Sequence, residues 1–130
     1  MILLDTSLLI EYLRSKDDAL LRRMRDFDSA ICGITRAEIL CGTRGDKHRN
    51  RLIDALDVFH QICIPESLWD DIGDTLAVLR QSGITVPFSD VVIATVAIAS
   101  GLQLWTRDKQ FLLIQKFVPQ LQLFGEHSEA

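Results

Sequence analysis

A chain of 130 residues, 48% hydrophobic and 25% charged, has the size and composition of one soluble globular domain, and it can bury a core without disulfides or structural metal. No apolar run reaches the ~18 residues that span a bilayer and the N-terminus lacks signal-peptide features, so a cytoplasmic protein with no membrane partner is expected. A net charge of −4 argues against binding nucleic acid by bulk charge, and three cysteines without CxxC spacing argue against a disulfide framework or a zinc site.

The chain opens with Ile2-Leu3-Leu4, a short apolar run that reads as a strand buried on both faces of a parallel sheet. It ends in Asp5-Thr6-Ser7, and Leu8, Leu9, Tyr12 and Leu13 then recur at helical spacing. A second helix starts at Asp17 or Asp18, with Leu20, Leu21 and Met24 on one side. Residues 29–34 read as the next strand. Thr35-Arg36-Ala37-Glu38 follows in the form of a capping box, a hydroxyl with Glu three residues on. Asp46 can cap a further helix that carries Leu52, Ile53, Leu56 and Phe59. Residues 61–64 form a third strand closed by Pro65, and Leu68, Ile72, Leu76 and Leu79 mark a long amphipathic helix stopped at Ser82-Gly83. Ser89 then caps a helix over residues 90–100, apolar almost all round and therefore central, which Gly101 ends. Residues 102–106 read as a fourth strand and Asp108 opens a short helix. Leu121, Leu123 and Phe124 suggest a last strand. Strands alternating with helices imply an α/β fold, a three-layer α/β/α sandwich on a mainly parallel sheet of about five strands. A single domain over residues 1–125 is expected, with a disordered polar tail at 126–130.

Asp5, Glu38, Asp90 and Asp108 each stand at or just beyond a junction where a strand or extended segment meets a helix. Singly, each reads as well as a helix cap or dipole partner. In a parallel sheet, however, such junctions share one edge, where open α/β folds place their chemistry. Two carboxylates ~4 Å apart repel by about 4 kcal/mol at an effective dielectric near 20. A converging cluster therefore calls for protonation, solvent or a bound cation. All-oxygen ligands select Mg²⁺ or Mn²⁺ over zinc, and such an ion suits phosphoryl hydrolysis.

The segments Ile2-Leu3-Leu4-Asp5-Thr6-Ser7, Thr35-Arg36-Ala37-Glu38-Ile39-Leu40, Asp90-Val91-Val92-Ile93-Ala94 and Leu104-Trp105-Thr106-Arg107-Asp108, in this order and spacing, resemble the PIN-domain ribonucleases. The likeness is narrower still to the VapC-type toxins of bacterial toxin–antitoxin pairs. It implies a sheet with helices on both faces and Mg²⁺-dependent endoribonuclease activity, with Mn²⁺ able to substitute. It also implies an RNA substrate, homodimerisation and inhibition by a cognate antitoxin. Residue by residue, Asp5, Glu38, Asp90 and Asp108 match the family's acidic quartet, and Thr6 and Thr106 match polar positions beside it. Arg36 and Arg107 flank the acids, where they could reach substrate phosphates or pair with surface carboxylates.

A receiver domain would need an acceptor Asp after its third strand, where Ile64-Pro65-Glu66 stands. A haloacid-dehalogenase-like phosphatase would need an Asp two residues after Asp5, where Ser7 stands. The rival that remains is a PIN-like module that binds a partner without catalysis. Most basic residues fall between Arg14 and Arg51, a surface that could hold a polyanion or simply be solvated. Tyr12, Phe27 and Trp69 lie on helices expected to reach the surface and so mark a candidate dimer interface.

Overall fold

The first strand, β1 (Ile2–Leu4), lies between two parallel neighbours, β2 (Ser29–Cys32) and β4 (Gln103–Trp105), and β3 (His60–Ile62) pairs on the far side of β2. The sheet order is therefore β3-β2-β1-β4 in this computed structural model, which describes residues 1–125. Parallel neighbours cannot be joined by tight turns, so helices make every crossover. They are α1 (Thr6–Ser15) and α2 (Asp18–Asp26), α3 (Gly33–Leu40) and α4 (Asp46–Leu56), then α5 (Leu68–Gln81) and α6 (Phe88–Ser100), with α7 (Gln110–Phe117) after β4.

Side chains alternate across the sheet and so divide the core in two. Leu3, Ala30, Cys32 and Leu104 point into one cluster with Ile72 and Leu79 of α5, the buried run of α6, and Phe111 and Ile114 of α7. Ile2, Leu4, Ile31 and Trp105 point into the other, with Leu8 and Leu9 of α1, Leu20 and Met24 of α2, and Leu56 of α4. The α/β/α sandwich is as expected. Helix α6 is the central one, buried without a break from Asp90 to Ala97, and Gly101 ends it at φ 66°.

Chain order runs outward from β1 to β2 and β3, then returns to place β4 on the other side of β1. The connections leaving β1 and β4 consequently diverge, α1 to one layer and α7 to the other. That divergence is a topological switch point, where open α/β sheets form a crevice at the carboxyl ends of their strands.

Some expected boundaries shift. The sheet has four strands, and the last segment adds one isolated parallel bridge, Leu104 to Leu123. Beyond that bridge Phe124 turns to pack on Trp105 and Phe27, with ring centroids 4.9 and 5.0 Å away. Phe27 is accordingly a packed residue rather than a surface one, while Trp69 is exposed as expected. The polar tail at 126–130 lies outside the described residues. Among the described residues no helix is long and apolar enough to cross a membrane.

Candidate active site

Asp5 is fixed by the sheet itself. Its N–H donates to the carbonyl of Trp105 at 3.0 Å, which carries the β1–β4 pairing one residue past the strand. The residue precedes α1, yet its carboxylate makes no capping bond to that helix. Instead Oδ2 accepts from Ser7 Oγ at 2.6 Å and from Thr106 Oγ1 at 2.7 Å. A carboxylate only 2% exposed is thus held by two hydroxyls, one from each side of the switch point. Thr106 also receives the N–H of Asp108 at 3.0 Å, and Ser7 Oγ receives the N–H of Arg107 at 3.3 Å. The loop after β4 is laced to the start of α1.

Glu38 is placed by a different route, and the capping box is corrected here. Helix α3 begins at Gly33, directly off β2, with Cys32 at the cap position and no side-chain cap. Thr35 and Glu38 therefore lie inside the helix. Glu38 Oε1 accepts from Thr6 Oγ1 at 2.9 Å and Oε2 from Ser89 Oγ at 3.2 Å. Thr6 Oγ1 also lies 3.2 Å from the hydroxyl of fully buried Thr35. Ser89 likewise is no cap: α6 starts at Phe88 after Pro87, and the Ser89 hydroxyl is turned to Glu38.

Asp90 sits in the first turn of α6 and is 8% exposed. Its Oδ2 is buried without a hydrogen-bond partner, a costly arrangement for a carboxylate. Burial, then the charges of Asp5, Asp108 and Glu38 in that order, raise its pKa from 3.8 to about 7. The three other acids are hence near enough for Asp90 to feel each of them. Asp108 Oδ1 accepts from the N–H of Gln110, the first residue of α7, at 2.9 Å, while Lys109 holds the cap position of that helix.

The two flanking arginines behave otherwise. Arg36 is committed to Asp57 at 2.9 Å and Gln61 at 3.3 Å, on the β3 side of the molecule. The Arg107 guanidinium pairs with Glu11 at 2.8 Å, and its backbone N–H is the part that joins the Ser7 network. Ser7, Thr35 and Ser89 are hydroxyls of the site that the sequence did not mark as such, Thr35 and Ser89 having read as helix caps. Ser7 stands two residues after Asp5, which is a usable signal, whereas Thr35 and Ser89 meet their partners only through the tertiary fold.

Among the described residues no group of three or more His, Cys, Asp or Glu side chains is arranged to hold a metal ion as it stands. The acids share an electrostatic field without closing on one point, as mutual repulsion dictates. The donor set still fits a hard divalent ion. It is all oxygen, and Asp90 offers a buried carboxylate oxygen with no other partner.

The chain has clear relatives. It is 31% identical over 111 residues to ribonuclease VapC32 of Mycobacterium tuberculosis, covering 85% of this chain and 86% of that protein. It is 29% identical over 110 residues to ribonuclease VapC1 of Methanocaldococcus jannaschii, covering 84% and 76%. The fold superposes on VapBC2 of Rickettsia felis bound to a promoter DNA fragment with TM-score 0.79, at 22% identity and 95% and 98% coverage. It superposes on DNA-bound VapBC of Salmonella typhimurium with TM-score 0.78, at 20% identity and 95% and 98% coverage. The PIN domain family model matches residues 2–116, a span that runs from β1 into α7 and takes in all four acids. The chain belongs to the PIN domain family.

Proposed function

We propose that this protein is a Mg²⁺-dependent endoribonuclease, with Mn²⁺ as an effective substitute, and that it acts in the cytoplasm as the toxin of a toxin–antitoxin pair. The observation that carries the proposal is the buried, unpartnered Oδ2 of Asp90 in the field of Asp5, Asp108 and Glu38. The resemblance to VapC ribonucleases supplies the reaction class and the RNA substrate. The solved VapBC complexes support a cognate antitoxin as partner, and the family likeness supports a homodimer. Residues 1–125 form the single catalytic domain.

Asp5, Glu38, Asp90 and Asp108 would hold the ion, which supplies Lewis-acid chemistry toward a phosphodiester and the attacking water. The protein's own part is orientation and charge. Ser7 and Thr106 donate to the same oxygen of Asp5 and so fix the carboxylate plane. Thr6 and Ser89 do this for Glu38, one donor to each oxygen. Without the ion, burial and the neighbouring carboxylates raise the Asp90 pKa to about 7, and a bound cation would offset that repulsion and favour the ionised ligand. Among the described residues the histidines are engaged elsewhere: His48 bonds to the Arg44 N–H and His60 to Asp28.

Purified protein should cleave single-stranded or looped RNA with Mg²⁺ or Mn²⁺ and stop in excess chelator, and Asp5→Asn and Asp90→Asn should each abolish cleavage. Chelator-resistant cleavage by nuclease-free protein would refute metal dependence. RNA left intact in every metal condition would favour a module that only binds a partner.

A further inference from the structure

Between α1, α3 and α4 runs a groove of about 630 Å³, and Glu38 of the acidic site forms part of its wall. Besides Gly42 and His48, its other lining divides into two kinds. Ile10, Leu13, Ile39 and Leu52 are apolar, and Arg14, Lys16, Arg44 and Arg51 are cationic. The cations come from separate places. Arg14 is in the last turn of α1, Lys16 at its left-handed C-cap, Arg44 on the turn after α3 and Arg51 on α4. His48 Nδ1 accepts the N–H of Arg44 at 3.1 Å, which closes that turn against α4.

Exposed cations are commonly just solvated, but these differ from the arginines nearer the acids. Arg36 and Arg107 are each tied to a carboxylate, whereas none of the four groove cations makes an ion pair with another described residue. On a chain with net charge −4, four positive charges unpaired among the described residues line one concave surface that includes Glu38. Such a surface concentrates a polyanion. The apolar lining is aliphatic and suits sugars and base edges, and His48 adds an imidazole to the wall on which a base can stack.

We propose that this groove cradles the sugar–phosphate backbone of single-stranded RNA on the Glu38 side of the acids, with Arg14, Lys16, Arg44 and Arg51 contacting successive phosphates. The proposal rests on the nuclease reading for its substrate class. It adds the path by which the strand reaches the acids.

The test measures binding apart from cleavage. A fluorescein-labelled single-stranded RNA of mixed sequence is titrated with the parent in chelator, over a range of salt. The same titration is made with Arg44→Gln/Arg51→Gln and with a control of equal charge change, Arg22→Gln/Arg25→Gln on α2. Each phosphate contact on single-stranded RNA contributes about 0.7 to the slope of log affinity against log salt, so losing two should weaken binding about 25-fold at 0.1 M. The control should bind as the parent does. With Mg²⁺ the groove pair should raise KM and leave kcat nearly unchanged. Equal losses in both pairs would mean diffuse charge and overturn the proposal. Unchanged RNA affinity in the groove pair would also overturn it and leave the groove to a protein partner. Failure of the nuclease reading would show differently, as a parent that cleaves nothing while the groove pair still loses RNA, and the groove would stand.

Discussion

The hydroxyl of Thr106 donates to Oδ2 of Asp5 at 2.7 Å, joining residues 101 apart in sequence at the ends of two adjacent parallel strands. Thr106 also receives the Asp108 N–H, so one hydroxyl couples two of the four acids. Thr106→Val keeps the β-branched shape and removes both bonds. Hydrogen bonds to a charged partner contribute about 1.5–3 kcal/mol, so a loss of that size is expected in denaturant unfolding. Cleavage should fall at least tenfold, because the Asp5 carboxylate is left with Ser7 alone. Unchanged stability and rate would show that Asp5 is positioned by the backbone only.

Glu38→Gln separates charge from hydrogen bonding. The amide oxygen can still accept from Thr6, and the side chain is exposed, so stability should change by less than about 1 kcal/mol. Cleavage should nevertheless be lost, since the site loses one anionic ligand. Full activity would remove Glu38 from the ligand set.

Asp90 gives a pH signature with a definite sign. Its pKa is raised in the folded protein, from 3.8 to about 7, so between those values the folded state binds a proton that the unfolded state has released. This group's contribution is therefore fully present below about pH 4 and is lost as pH rises through about 7. The loss is up to about 1.4 kcal/mol per pH unit across that window. In chelator, the stability of Asp90→Asn relative to the parent should rise across the window and level off above it. A constant difference from pH 4 to 8 would contradict the raised pKa.

Arg36 lies next to the acidic rim in sequence but not in its network. Its guanidinium engages Asp57 and Gln61, so Arg36→Gln should leave cleavage within about twofold and cost no more than about 1 kcal/mol, as for a surface ion pair. A large drop in kcat with stability intact would place Arg36 on the substrate.

Much of this arrangement was legible in the chain because its signals are local. An apolar run ending in Asp5 marks a buried strand meeting a helix, and the unbroken run from Val91 to Ala97 can only be a central helix. The capping box misled because hydroxyl-x-x-Glu carries two meanings. Local bonding would pair Thr35 with Glu38, whereas the fold starts α3 three residues earlier, with Cys32 at the cap position, and gives Glu38 to Thr6 and Ser89. The hydroxyls around the acids were legible only where sequence neighbours supply them. Ser7 is near Asp5 in the chain, but the Glu38–Ser89 bond spans 51 residues and needs α3 and α6 to pack. The extra strand at Leu121–Phe124 reduced to one bridge, in which Leu104 exchanges backbone bonds with Gln122 and Phe124 while the Phe124 ring packs on Trp105 and Phe27. The basic segment could be seen from composition, but not which of its cations lack carboxylate partners.

The central claim is that four acids at the switch point form one site for a divalent ion, and melting tests it most directly. Parent and Asp90→Asn are melted in chelator and in millimolar Mg²⁺, giving four temperatures. Removing one charge from a crowded cluster relieves repulsion and the burial cost of Asp90, so the variant should melt above the parent in chelator. Mg²⁺ should then raise the parent by mass action and barely move the variant. A variant no more stable than the parent in chelator, with the same response to Mg²⁺, would contradict the claim and return Asp90 to the role of a helix-terminus residue.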